Sequence, residues 1–152
     1  MAVRIHIDAL NVAYWCGSPP ALRIPLGLMA ALLAAGHRAT LYFDASARYR
    51  LGNVGVYELL LKHSGHVIQA PSGRRADQLM LRDARASGAL IVSRDHFRDH
   101  RRRYRKLIDD PARVLTGEVR DDRVRVPSLS LDAPLPASDE AAWQALTTTS
   151  RA

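Results

Sequence analysis

Short β-branched runs alternate with Ala/Leu-rich stretches along most of this chain, and no other feature restricts the fold as much. Val3 to Asp8 alternates apolar and polar residues and reads as a strand. Ala39 to Asp44, His66 to Gln69 and Ala89 to Ser93 read as three more, the last apolar enough to be central in a sheet. Between them, Leu22 to Ala35, Tyr57 to His63 and Ala76 to Ala86 read as helices, with Gly36 and Gly65 as C-terminal stops for the first two. Turns are expected from Asn11 to Pro20 and from Pro71 to Gly73, and a polar loop from Ala45 to Gly55. Strands alternating with helices imply an α/β fold: a mostly parallel sheet with helices on both faces and right-handed crossovers. Beyond Ser93 the pattern predicts a basic helix from His96 to about Leu107. A hairpin of Val114 to Glu118 with Arg123 to Val126 should then turn at Asp121-Asp122.

Residues 1–127 read as one domain and 128–152 as a tail, because Pro127, Pro134 and Pro136 precede a Ser/Thr-rich end. A short amphipathic helix over 138–146, carrying Trp143, could dock on the domain or on a partner. The length, 152 residues, suits one domain with a sizeable core. No apolar run reaches the roughly 18 residues of a membrane span, since Arg23, Pro25 and Gly27 interrupt the longest. No secretory signal precedes the first strand, and the lone Cys16 excludes an internal disulfide framework and a cysteine zinc site. A cytoplasmic, membrane-free setting is the expectation, with a homodimer left open. The net charge of +7 favours acidic partners, chiefly nucleic acid.

Against that basic background stand Asp8, Asp77, Asp95 and Asp99, each at a predicted strand end or near a helix start. Singly, Asp77 and Asp95 suit helix caps, and Asp8 with Asn11 suits a turn. Jointly they read differently. In open α/β sheets ligands bind outside the carboxyl ends of the strands, at the switch point, and Asp8 and Asp95 would share that edge if their strands are neighbours. Asp99 lies four residues beyond Asp95 and would share its helix face. Clustered carboxylates suit Mg²⁺ or Mn²⁺, which orient and ionise water and stabilise charge on a phosphodiester. Asn11 adds an amide for a metal-bound water or a phosphate. Asp44 ends a strand further from the switch point and reads equally as a peripheral acid or a loop residue.

Arg94 to Lys106 is dense in arginine, with Phe97 and Tyr104 interspersed. Such segments grip phosphates, and an aromatic ring can stack on an unpaired base, although helical spacing places Phe97 in the core. Arg74, Arg75, Arg94, Arg98, Arg101 and Arg102 are the candidate nucleic-acid contacts. The pairs His96/His100 and His63/His66 lack the other features of zinc motifs.

These motifs resemble the NYN branch of the PIN-like nucleases, closest to the Regnase-type ribonucleases. The matching stretches are Ile7-Asp8-Ala9-Leu10-Asn11-Val12-Ala13, Ala35-Gly36-His37, Arg74-Arg75-Ala76-Asp77 and Ile91-Val92-Ser93-Arg94-Asp95-His96-Phe97-Arg98-Asp99, in order across about residues 3 to 127. The resemblance implies a PIN-like three-layer sandwich and Mg²⁺-dependent endonucleolytic cleavage of single-stranded RNA. It sets Asp8, Asn11, Asp77 and Asp95 on the family's acidic-site positions with Asp99 beside them, and Asp8, Asp77 and Asp95 on the metal. Two departures stand out: Ala76-Asp77 replaces an often doubled aspartate, and Arg94 replaces a residue that is often Asn. The CCCH zinc finger that follows the domain in animal proteins is absent from this sequence. A PIN-like RNA binder with little or no catalysis is the alternative.

Overall fold

A computed structural model describes residues 2–63 and 66–151; Gly65, expected to stop a helix, lies outside the described residues. The chain folds as β1 (Arg4–Asp8), α1 (Ala9–Ala13), α2 (Arg23–Ala34), β2 (Arg38–Phe43), α3 (Ala47–Arg50), α4 (Val54–His63), β3 (Val67–Gln69), α5 (Ala76–Ser87) and β4 (Leu90–Val92). A 3₁₀ turn (Arg98–His100) leads into α6 (Arg101–Ile108), β5 (Val114–Leu115), β6 (Glu118–Arg120), β7 (Arg123–Val126), β8 (Leu131–Pro134) and α7 (Asp139–Arg151). β1 to β5 form one parallel sheet in the order β3-β2-β1-β4-β5. The chain winds from β1 towards β3, then returns to build the other half on β4. The switch point therefore lies between β1 and β4, the place where this architecture forms its ligand crevice.

Alternation along β1 assigns its side chains to two layers. Ile5 and Ile7 are fully buried in a core that includes Leu28, Met29 and Leu32 of α2 and Leu146 of α7. On the other face, Tyr42 of β2 and Ile91 of β4 pack with Met80, Leu81 and Ala84 of α5 and Tyr104 and Leu107 of α6. The expected sandwich, helices covering both faces of a parallel sheet, is what forms.

Several local expectations change. The segment from Asn11 begins inside a helical turn, α1, too short to show periodicity. The loop from Ala45 to Gly55 contains α3 and the start of α4. The hairpin does turn at Asp121-Asp122, where φ of 52° and 57° gives the left-handed pair that two-residue hairpins need. Its first strand, however, is β6; Val114 and Leu115 instead pair with Ile91 and Val92 as the outer strand of the main sheet.

The C-terminal segment is built into the fold rather than trailing from it. β8 pairs with β7 to complete a small antiparallel sheet, and α7 lies against α2. Asp139 accepts a hydrogen bond from the Arg23 N–H at 2.7 Å, so the last helix supplies the cap that Leu22 does not. Gly27 lets the connecting segment cross α2: a Cβ there would lie 2.7 Å from the Pro136 ring. Among the described residues no helix is long and apolar enough to cross a membrane.

Candidate active site

The carboxyl ends of β1 and β4 meet at the switch point, and the acids gather there. Ile7 is in register with Val92, so Asp8 and Ser93 are the next residues along each strand. The Ser93 hydroxyl donates to Asp8 Oδ2 at 2.7 Å and accepts the Asp95 N–H at 3.0 Å. One buried hydroxyl thus fixes the Asp8 carboxylate and the backbone of Asp95 relative to one another. Asp95 Oδ1 in turn accepts the Phe97 N–H at 2.9 Å, closing a turn. Phe97 has φ of 51°, and the helix starts only beyond it. Asp95 and Asp99 are therefore not one helical turn apart, as expected from spacing. The same holds for His96 and His100.

Asp77 sits in the first turn of α5, whose start is held from across the sheet: Asp44 Oδ1 accepts the Ala76 N–H at 2.7 Å. Asp44, which from the sequence reads equally as a peripheral acid or a loop residue, is thus a positioning residue for Asp77, and its charge also acts on Asp8. Burial pushes the Asp8 carboxyl up to about 7; the Ser93 hydrogen bond opposes this, while Asp95, Asp77 and Asp44 add to it. Acids from three other segments of the chain thus add to the resistance of Asp8 to ionisation.

Arg75 partly neutralises the cluster. Its guanidinium spans Asp99 Oδ2 at 2.9 Å and Asp77 Oδ2 at 3.1 Å, and Asp99 first, then Asp77, hold its pKa above the ordinary arginine value. Asp99 therefore joins the site through Arg75. His100 Nε2 lies 3.2 Å from Asp77 Oδ1, yet these two buried atoms make no well-oriented hydrogen bond.

Asn11 lines the site and also braces it. Its Oδ1 accepts both the Trp15 indole N–H at 3.1 Å and the Arg94 N–H at 3.0 Å, tying α1 to the loop after β4. Arg94 is likewise engaged: it donates to the Gly117 carbonyl at 2.9 Å and lies over the Trp15 ring. Gly117 is required for this cluster, because a Cβ there would run into the Arg125 carbonyl and the Trp15 ring. Nothing in the sequence links Trp15, Gly117 and Arg94, which are separated by large intervals.

Asn11, Asp77, Asp95, Asp99, Arg75, Arg94, Arg98, His96 and His100 line a cavity of about 440 Å³, whose Asp77 and Asp95 are two of the acids that act on Asp8. The remaining expected cations divide. Arg74 is exposed on the loop before α5. Arg101 forms a two-pronged ion pair with Asp109 at 2.8 and 2.9 Å, and Arg102 faces a different cleft. Tyr104 is buried, with Arg85 and Arg103 over its ring, so it is not open to a base. Arg48 pairs with Glu58 at 3.2 Å.

Among the described residues, no group of three or more His, Cys, Asp or Glu side chains is arranged to hold a metal ion by itself. The donors nonetheless suit a hard cation that keeps much of its water shell. Asp8 is crowded by like charges, and Asp77 Oδ1 is buried without a hydrogen bond. A divalent ion would relieve both.

Comparison with known proteins bears on the family and the fold. The profile of the Zc3h12a-like Ribonuclease NYN domain matches residues 1–134. No curated protein sequence matches the chain. Among solved structures, Arabidopsis thaliana nuclear protein-only RNase P 2 (PRORP2) superposes with a TM-score of 0.63 at 14% identity, over 83% of this chain and 30% of that one. This chain thus spans less than a third of that protein's length, and the likeness concerns the fold. The profile match covers most of the molecule, including both strands whose ends carry the acids: the chain belongs to the Zc3h12a-like ribonuclease NYN domain family.

Proposed function

We propose that the protein is a Mg²⁺- or Mn²⁺-dependent endoribonuclease that hydrolyses single-stranded RNA. The observation that carries the reading is the crowding of Asp8 by Asp95, Asp77 and Asp44, with Asp77 and Asp95 lining a cavity also walled by Arg75, Arg94 and Arg98. Acids that repel one another inside a cationic rim suit a bound cation and an incoming polyanion. Asp8, Asp77 and Asp95 would hold the ion, which when bound would help a water ionise and stabilise charge on the phosphodiester.

The protein's own groups do the positioning. Ser93 keeps the Asp8 carboxylate aimed, and Asp44 keeps Asp77 at the start of α5. Asn11 holds the Arg94 backbone, and with it the loop that carries Asp95. Arg98 extends the cationic wall and would receive phosphate oxygens. Arg75 does the same once it leaves its two carboxylates.

Incubating a single-stranded RNA with Mg²⁺ or Mn²⁺ tests the reading, with EDTA and Asp95→Asn as controls. Internal cleavage abolished by both is the expected result; equal cleavage by the variant removes the site from consideration. The Arg75 contacts favour one other reading, an RNA binder with little turnover, because they already neutralise Asp77 in part. That reading predicts salt-sensitive, metal-independent RNA binding without products at any metal concentration.

A further inference from the structure

A second cationic concavity lies apart from the acidic cavity and shares no lining residue with it. It has a volume of about 610 Å³ and is walled by Arg85, Arg102, Arg103, Arg105, Lys106 and Arg113, with Asp110 as the one carboxylate. These cations come from three segments: the end of α5, the length of α6 and the loop before β5. A solvated helix face would need only one of them.

The charges in this cleft are poorly compensated from within. Asp110 already accepts the Ala112 N–H at 2.9 Å. Arg113 donates to the Ala84 and Ala89 carbonyls, which orients its guanidinium without neutralising it. Arg85 and Arg103 lie over the buried Tyr104 ring at 4.6 and 5.7 Å, cation–π contacts that hold the guanidinium groups without neutralising their charge. Arg101 and Arg105 share Asp109. Arg102 and Lys106, also four residues apart on α6, have no ion pair among the described residues. Tyr104 between them leaves helical geometry (φ −121°, ψ 30°) and kinks the segment, yet two uncompensated cations so near in the chain still repel, and an external polyanion would neutralise both.

We propose that this cleft is a second binding site for the phosphate backbone of RNA, engaging the strand outside the stretch in the acidic cavity. The inference rests on the reading of the chain as acting on RNA. Its direction comes from the fold: Arg98 lines the acidic cavity, and α6 starts directly after that 3₁₀ turn. Arg102 and Lys106 follow Arg98 along the same segment, with a kink at Tyr104 between them. A strand leaving the first cavity past Arg98 and following this segment would reach the second cleft.

The test is binding of a 20-nucleotide single-stranded RNA in EDTA, with salt as the variable, for wild type and for the Arg102→Gln/Lys106→Gln double variant. Each lost phosphate contact flattens the slope of log affinity against log salt by about 0.7. The double variant should therefore be shallower by about 1.4, losing about sevenfold less affinity than wild type between 50 and 200 mM salt. Among the described residues neither side chain makes a hydrogen bond or an ion pair, so the variant should fold as wild type does. An unchanged slope overturns the proposal. So does an unchanged slope joined to lost binding of poly-glutamate, which would assign the cleft to an acidic protein. Wild-type cleavage with Mg²⁺ is measured separately, so loss of the catalytic reading and loss of this one are distinguishable.

Discussion

Replacing Asp8 with Asn should make the metal-free protein more stable, increasingly so as pH rises. The Asp8 carboxyl lies at about 7 in the folded protein and at 3.8 as the ordinary value. A carboxyl raised by folding holds its proton more tightly folded than unfolded. Its contribution is complete below the unfolded value and is lost as pH climbs through the folded one. About three units at about 1.36 kcal/mol each give about 4 kcal/mol over the whole span. Of this, about 2.5 kcal/mol falls between pH 5 and pH 8. The Asn amide carbonyl can still accept the Ser93 hydroxyl, so the variant removes the charge and keeps that contact. Urea melts in EDTA at pH 5, 6.5 and 8 measure the effect. The gap between Asp8→Asn and wild type should widen by about 2.5 kcal/mol from pH 5 to pH 8, or about 5–10 °C in Tm for a chain of this size. Mg²⁺ should stabilise wild type at pH 8 and leave the variant unmoved, because only a ligand bound to the folded state shifts its stability. A gap that is constant with pH, or a variant less stable than wild type at pH 8, refutes the claim that Asp8 is held charged against its surroundings.

Three further outcomes follow from particular contacts. Arg75→Gln frees Asp77 and Asp99 from their guanidinium; Mn²⁺ should bind severalfold more tightly by titration calorimetry, and unchanged affinity would mean that Arg75 does not compete with the ion. Asp44→Ala removes the acceptor for the Ala76 N–H and should cost about 1 kcal/mol in denaturant melts, with RNA cleavage reduced as Asp77 loses its fixed place, whereas Asp44→Asn should retain most of the stability. Gly27→Ala drives a methyl into Pro136 and should destabilise by about 1–3 kcal/mol, with limited proteolysis opening the segment before α7 first; a neutral effect would mean that this crossing is loose.

Much of the layout was readable from residue patterns because it is local. The β-branched runs that became β1, β2, β3 and β4 and the apolar faces between them imply a parallel sheet before any contact is known. Asp8 and Asp95 could be assigned to one edge, since strand ends in such a sheet share a side. The basic stretch misled for a related reason. Arg94 to Lys106 has the composition of a continuous helix, but Asp95 bonds the Phe97 N–H and φ turns positive there. A side chain competing for backbone hydrogen bonds decides where a helix begins.

By itself the sequence determined the α/β class, the helix-and-strand order of the first two-thirds, the acids worth watching and the surplus of positive charge. Those properties depend on neighbours within a few positions, or on sums over the chain. Only the tertiary structure decided that Val114 joins the main sheet, that α7 caps α2 through Asp139, and that Asn11 clamps a loop. It also decided that Asp44 steadies α5, and that the arginines separate into one set facing the acids and another facing a cleft of its own. Each of these joins side chains or backbone groups from distant segments, and what a hydrogen-bonding or charged group does is set by the partner folding brings to it.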